Sequence, residues 1–442
     1  MYNNFHRINI FFLTYNHRFF DKKEAKLENN NQNTQNKDDV RHWQNRFFCN
    51  FLYELNRAEY TPEDISKYVW KPFSPDDLII SGPDRDLSLF KVQTVPAEIS
   101  RYLNNLPPNQ VDSDDYFSSQ KLVLILLPGF THHTLKYPAF IAQDEFKSSP
   151  VDLMTIAFAP DGQSIIETEL HQGGGVKLMY AAYPRSNASS LYIVPKTIEM
   201  LQMSQKLKNF VNEGYKIVFI GYSYGSALGL ELLAGLNSGA FEDSFILENT
   251  IAFLSINGDI EGSYLADAVL KEDALFNMQK YVKLSEKFNP LGLLMGLKTD
   301  QERKDLVGGV QSLAHPERIE RLNEYRDKVP PNIKYFSICA FLPEDDYNNS
   351  LLKNLDDWTM HKQSLASKDI SIYNDGQMVL ENCFLPKFPH VPKENIIELG
   401  AVRAHHWAVS FRTFNMGVNN FPRFPYYRAL GKTLAEAGVI NK

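Results

Sequence analysis

An α/β fold with a mainly parallel central sheet flanked by helices is predicted by three features of the sequence. Short, continuous apolar runs recur that suit strands buried on both faces. Segments with helical spacing separate most of these runs. One of the runs ends in a serine framed by glycines, which opens a second helical stretch. Alternation of this kind puts a sheet between two helical layers and gathers the functional loops at the C-terminal strand ends.

The chain has 442 residues, enough for a full-size α/β domain with an appendage. Its opening, MYNNFHRINIFFLTYNHRFF, holds the apolar run Ile10 to Leu13, too short for a signal-peptide core and followed by no small-residue cleavage site. No apolar run is long enough to cross a bilayer. A cytoplasmic location is therefore expected, with export by a route that needs no cleaved signal left open. Residues 21–40, DKKEAKLENNNQNTQNKDDV, are charged and rich in Asn and Gln, so 1–42 is read as a disordered or loosely ordered segment. Aromatics and leucines return at helical spacing from Trp43 to Trp70. Thr61-Pro62-Glu63-Asp64 has the form of a helix start: a capping Thr, Pro at the first position and acids in the first turn. Residues 43–117 are thus expected to be an N-terminal helical extension packed on the main domain, with a strand at Leu87–Gln93.

The α/β domain is expected over 118–442. Strands are predicted at Leu122–Leu127, Val176–Tyr183, Ile217–Ile220, Ile251–Ile256, Ile333–Phe341, Asp369–Tyr373 and Ile396–Leu399. Ile198–Val211 carries a helical stripe with Gly214 as its stop. Residues 263–328 interrupt the alternation with polar, helical sequence that contains the apolar Phe288 to Met295. They are read either as a helical cap whose apolar face, Leu294 included, meets a substrate, or as an insertion packed on the sheet.

Composition narrows the function. A net charge of −7 with scattered Lys and Arg argues against a nucleic-acid partner, which needs a basic stripe. Cys49, Cys339 and Cys383 are odd in number and far apart, so neither a disulfide framework nor a zinc spacing is implied. Two of them could pair only if the fold brought them together. Oligomeric state is not legible.

The chemistry centres on Gly221-Tyr222-Ser223-Tyr224-Gly225, after the strand-like KIVFI and before the helix-like SALGLELLAG. A serine hydroxyl attacks well only when a tight turn holds it out beside a base, and glycines two residues to either side let the chains approach. The new helix also offers the Tyr224 N–H to a developing oxyanion. A second donor is expected from the turn after an earlier strand, at Phe130 in Pro128-Gly129-Phe130. A glycine-rich stretch, His171-Gln172-Gly173-Gly174-Gly175, precedes a strand and is read as a plain turn. His132, Tyr222 and Leu294 are pocket candidates; His133 beside His132 is as well explained by solvation.

An acid and then a histidine should follow in chain order. Asn374-Asp375-Gly376 and His405-His406-Trp407 both follow strand-like segments. Asp375 is preferred over Asp345, Asp346 and Asp259, and His406 over His405. Such a set would carry out acyl transfer: His406 takes the Ser223 proton, Asp375 orients the imidazole, and water releases the acyl group. No metal or organic cofactor is required.

The segments LPGF, GYSYG, INGDIEGSYLAD, YNDGQMV and AHHWAV, in that order, resemble the motifs of lipase-type α/β hydrolases over roughly residues 120–412. The resemblance implies the α/β-hydrolase fold, a Ser223–Asp375–His406 triad, oxyanion donors at Phe130 and Tyr224, and small-molecule or lipid carboxylic esters as substrates. Pro128 stands where a histidine usually precedes the glycine, and His405 where an aspartate often precedes the catalytic histidine. A thioesterase or an acyltransferase could use the same scaffold. An inactive hydrolase fold serving as a binding module is the reading from a different class.

Overall fold

Continuous apolar runs become the inner strands because a strand covered on both faces has no solvent side to alternate with. The computed structural model describes residues 33–73, 91–106, 121–130, 176–181, 187–241, 245–270, 300–347, 355–368, 370–409 and 421–439. By chain contacts it divides into two units, 1–42 and 43–442.

Among the described residues, six parallel strands form one sheet: β1 (Leu122–Leu127), β2 (Val176–Tyr180), β3 (Lys216–Tyr222), β4 (Thr250–Ile256), β5 (Lys334–Phe341) and β6 (Ile396–Arg403), in the spatial order β2-β1-β3-β4-β5-β6. The principal described helices are α1 (Asn33–Arg57), α2 (Pro96–Asn104), α3 (Ser190–Met203), α4 (Gln205–Asn212), α5 (Tyr224–Asn237), α6 (Tyr264–Leu270), α7 (Asp300–Leu313), α8 (His315–Tyr325), α9 (Leu355–Ser364) and α10 (Arg423–Glu436).

Successive strand residues point to opposite faces, and the core divides accordingly. Leu124, Leu126, Val218, Ile220, Leu254 and Ile338 pack on one side with Phe51 and Leu55 of α1 and Tyr426 and Leu430 of α10. Val123, Ile125, Leu127, Phe219 and Phe253 pack on the other with α3, α5 and α8. This is a mainly parallel sheet flanked by helices. No helix among the described residues is long and apolar enough to cross a membrane.

Polar contacts as well as apolar ones seat α1 on α10. Arg46 reaches Glu436 at 2.6 and 3.0 Å, Asn50 donates to Thr433 at 3.0 Å, and the buried Glu54 accepts from Arg428 at 3.0 Å and pairs with Lys432. Removing residues 1–40, whose last twenty are polar, should leave the melting temperature nearly unchanged. Removing residues 1–57 should abolish soluble, cooperatively folding protein, because it strips Phe47, Phe48, Phe51, Leu52 and Leu55 from the core and leaves Arg428 and Lys432 without their carboxylate. Phe51→Ala alone should cost ~3–5 kcal/mol. Urea melts of the three proteins check this, and a stable protein lacking residues 1–57 would contradict it.

Several local expectations are met and several are revised. Thr61 caps its turn by accepting from Asp64 N–H at 3.2 Å, with Pro62 next. Gly214, at φ +90°, follows the end of α4. The helix expected over 198–211 is two helices, broken at Ser204, whose hydroxyl caps α4 by accepting from Leu207 N–H. The first of them begins eight residues earlier, with Pro195 inside it. The strand expected at Asp369–Tyr373 is absent over the described residues 370–373. There Ser371 Oγ accepts from Tyr373 N–H and donates to Glu381, so side-chain bonds replace a ladder. Strand β6 runs past Leu399 to Arg403, because a bulge that includes Gly400 at φ +81° absorbs the change of register against β5. Of the strand expected at Leu87–Gln93, the described end makes a single bridge, Gln93 to Trp70.

Candidate active site

Ser223, Phe130, Asp375 and His406 each lie in a segment that follows a sheet strand. Ser223 closes β3 and opens α5 with φ 55° and ψ −127°, a strained conformation that costs about 1–3 kcal/mol outside glycine. Its surroundings hold it there. The Ser223 N–H donates to Ile256 O at 3.0 Å, and its carbonyl accepts from Ser226 N–H at 2.9 Å and Asp259 N–H at 3.1 Å. The flanking glycines are sterically required: a Cβ on Gly225 would lie 2.0 Å from Leu127 O, and one on Gly221 would lie 2.4 Å from Ser226 Cα. Helix and strand therefore meet at backbone contact, and the serine is pushed out at the crest.

The turn after β1 runs against this crest. A Cβ on Gly129 would sit 3.2 Å from Ser223 Cβ. Phe130 follows, with its ring edge-on to the buried Tyr224 at 6.1 Å. The Tyr224 N–H belongs to the first turn of α5, where N–H groups lack intrahelical acceptors and the helix end is electropositive. The described part of the insertion covers Phe130: Leu306 and Val310 of α7 and Ala266 of α6 form a small apolar cluster on which its ring packs.

Asp375 is fully buried in a turn that explains its own shape. The Asn374 side chain accepts from Gly376 N–H at 3.1 Å, and Gly376 adopts φ +100°. Asp375 Oδ1 accepts from Gln377 N–H at 2.9 Å and Met378 N–H at 2.8 Å. Oδ2 lies 2.6 Å from His406 Nδ1 and accepts from Asn257 Nδ2 at 3.1 Å. The backbones are joined too, His406 N–H donating to Asp375 O at 2.7 Å. A carboxylate has only lone pairs to offer, so His406 Nδ1 carries the proton and Nε2 presents a lone pair. Buried Nε2 makes no hydrogen bond among the described residues. Tyr222, a pocket candidate, donates its phenol to His406 O at 2.9 Å, with its ring 5.1 Å from the imidazole.

The competing residues sit elsewhere. His405 Nε2 donates to Asp357 Oδ1 at 2.9 Å, and its Nδ1 accepts from Ala408 N–H at 3.1 Å, so both nitrogens are engaged. Asp346 is paired with Arg403 at 2.8 Å and Asp345 is exposed. His132, His133, Leu294 and the 171–175 stretch lie outside the described residues. Asn257 and Asp357 were not singled out in the sequence. For Asn257 the available signal was its place just after a strand, at the same sheet end as Ser223.

Asp259 is fully buried, and neither of its carboxylate oxygens has a hydrogen bond among the described residues. Burial raises its pKa to about 8, against the opposing pull of Arg318. The folded state thus holds a proton that the unfolded chain releases near the ordinary carboxylate value. Asp259 therefore weakens the fold progressively as pH rises from about 4 to about 8. Asp259→Asn should gain in melting temperature relative to wild type far more at pH 9 than at pH 4, measured calorimetrically. An equal difference at both would place the proton elsewhere.

The strained serine turn after β3, followed in chain order by Asp375 and His406 beyond β5 and β6, resembles the arrangement of α/β hydrolases. No family model and no curated protein matches the sequence. In three dimensions the chain is similar to the metagenomic carboxyl esterase MGS0156, at 17% identity and TM-score 0.46 over 75% of this chain and 78% of that one. It is similar to the Staphylococcus hyicus lipase at 11% identity and TM-score 0.45, over 76% of this chain and 100% of that one. The Bacillus licheniformis lipase BlEst2 in its mature form shares 14% identity at TM-score 0.36, over 73% of this chain and 96% of that one.

Proposed function

We propose that the chain is a serine hydrolase of carboxylic esters, with Ser223 as nucleophile, His406 as general base and acid, and Asp375 as the group that orients His406. The observation that carries the reading is the buried Asp375–His406 pair, which leaves His406 Nε2 as an unengaged base at the sheet end where the Ser223 turn lies. In the first step His406 takes the hydroxyl proton as Ser223 Oγ attacks the ester carbonyl, and the imidazolium then protonates the departing alkoxide. In the second step His406 deprotonates water as it attacks the acyl-enzyme carbonyl, and the imidazolium returns that proton to the departing Ser223 Oγ, which frees the acid and restores the enzyme. Backbone N–H groups of Phe130 and Tyr224 stabilise the oxyanion in both steps. The apolar cover on Phe130 from α6 and α7 supports an apolar acyl or alcohol group in the substrate.

The test is a panel of p-nitrophenyl esters from acetate to palmitate, run beside the matching acyl-CoA thioesters. Turnover of the esters, with kcat/KM changing systematically along the series, is expected. Turnover confined to thioesters would replace the ester reading with a thioesterase, and none on either panel would sink the hydrolase reading.

A further inference from the structure

We infer that Asn257 is a positioning residue of the His406 base, acting through Asp375; the inference rests on the proposed triad. Asn257 follows β4 directly and is fully buried, with φ +46°. Its backbone N–H donates to Ile338 O at 2.9 Å, which ties it to β5, the strand ahead of the acid turn. Its Nδ2 donates at 3.1 Å to Asp375 Oδ2, the same oxygen that faces His406 Nδ1 at 2.6 Å.

The amide orientation follows from chemistry: turned over, its oxygen would face a carboxylate oxygen with no proton between them. In this orientation Asn257 Oδ1 is buried and unbonded among the described residues, an unsatisfied acceptor that an apolar side chain would not bring. The donated hydrogen bond offsets that cost. It also fixes the second coordinate of the carboxylate. The Gln377 and Met378 N–H groups hold Oδ1, and because rotation about the Cβ–Cγ bond moves both oxygens, a further donor on Oδ2 fixes the plane of the carboxylate more tightly than donors on Oδ1 alone. Asn257 holds Oδ2 in the direction of His406, and the imidazole is held in turn through Nδ1. The left-handed backbone suits this assignment, since asparagine tolerates positive φ better than most side chains.

Asn257→Gly removes the amide while keeping a residue that adopts positive φ without strain. The expected result is a fall in kcat of about ten- to a hundredfold, the worth of one hydrogen bond to a charged group, with KM nearly unchanged. The fluorophosphonate labelling rate of Ser223 should fall in parallel. A structural defect alone would not move the far-downfield proton resonance of His406 Nδ1–H, so that signal is the second readout. It should shift or broaden in Asn257→Gly, measured below the melting temperature of the variant. Unchanged kcat with an unmoved resonance would overturn the inference, as would a stability loss with the resonance in place. If wild type turned over no ester while the variant still moved the resonance, the hydrolase reading would fail and the positioning of His406 by Asn257 would stand.

Discussion

Ser223→Ala should lower kcat by about 10⁴-fold or more while leaving the melting temperature within a few degrees of wild type. The size follows from what is lost. No other hydroxyl among the described residues occupies the crest between β3 and α5, so an acyl-enzyme could not form. The oxyanion donors and binding contacts would remain, and the residual rate should still exceed that in water. Stability should change little, because the change removes one oxygen and the bonds that hold the turn are backbone bonds: Ser223 N–H to Ile256 O and Asp259 N–H to Ser223 O. Any gain or loss from the strained φ of 55° is shared by the two side chains. Retention of a tenth of wild-type activity would rule Ser223 out as nucleophile.

The second large effect is a contrast within two pairs. His406→Ala should cost about as much as Ser223→Ala, and Asp375→Asn should cost about 10⁴-fold, because an amide there can turn its NH₂ toward Nδ1 and favour the wrong tautomer. His405→Ala should be far milder in kcat, because both of its nitrogens are engaged in holding the loop, to Asp357 and to Ala408 N–H. Its cost should appear in stability instead. Asp346→Asn weakens only a contact to Arg403 and should leave kcat within a few-fold of wild type. A severe loss of kcat in His405→Ala, with mild behaviour of His406→Ala, would exchange their roles.

How much of this was legible in the sequence depended on whether one residue type carried its own signal. The all-apolar β1, with every residue buried, could be read directly, since no other short element needs six apolar residues in a row. The Ser223 turn was legible because only glycine fits beside it at backbone contact. The acid turn is a different case. The sequence over Asp369 to Tyr373 reads as a strand, but the described residues 370–373 form none, β5 pairs directly with β6, and Leu342 N–H to Asn374 O at 3.1 Å ties the acid turn to the end of β5. The sequence carries no mark of that long-range bond. Asn257 carries only the weak signal of its place after a strand: an Asn-Gly there reads as a turn, and its contact is with a residue 118 positions away. The thiols Cys339 and Cys383 were likewise left open, and the fold brings them together in one small buried cluster beside the acid turn.

The central claim is that Ser223 is a nucleophile activated by His406. The most direct measurement is mass spectrometry of the full-length protein after reaction with a fluorophosphonate, with the adduct located by peptide mapping. The account predicts one covalent adduct, on the peptide containing Ser223, formed rapidly in wild type, orders of magnitude more slowly in His406→Ala, and not at all in Ser223→Ala. An adduct on another residue, or labelling of Ser223 at the same rate with and without His406, would contradict it.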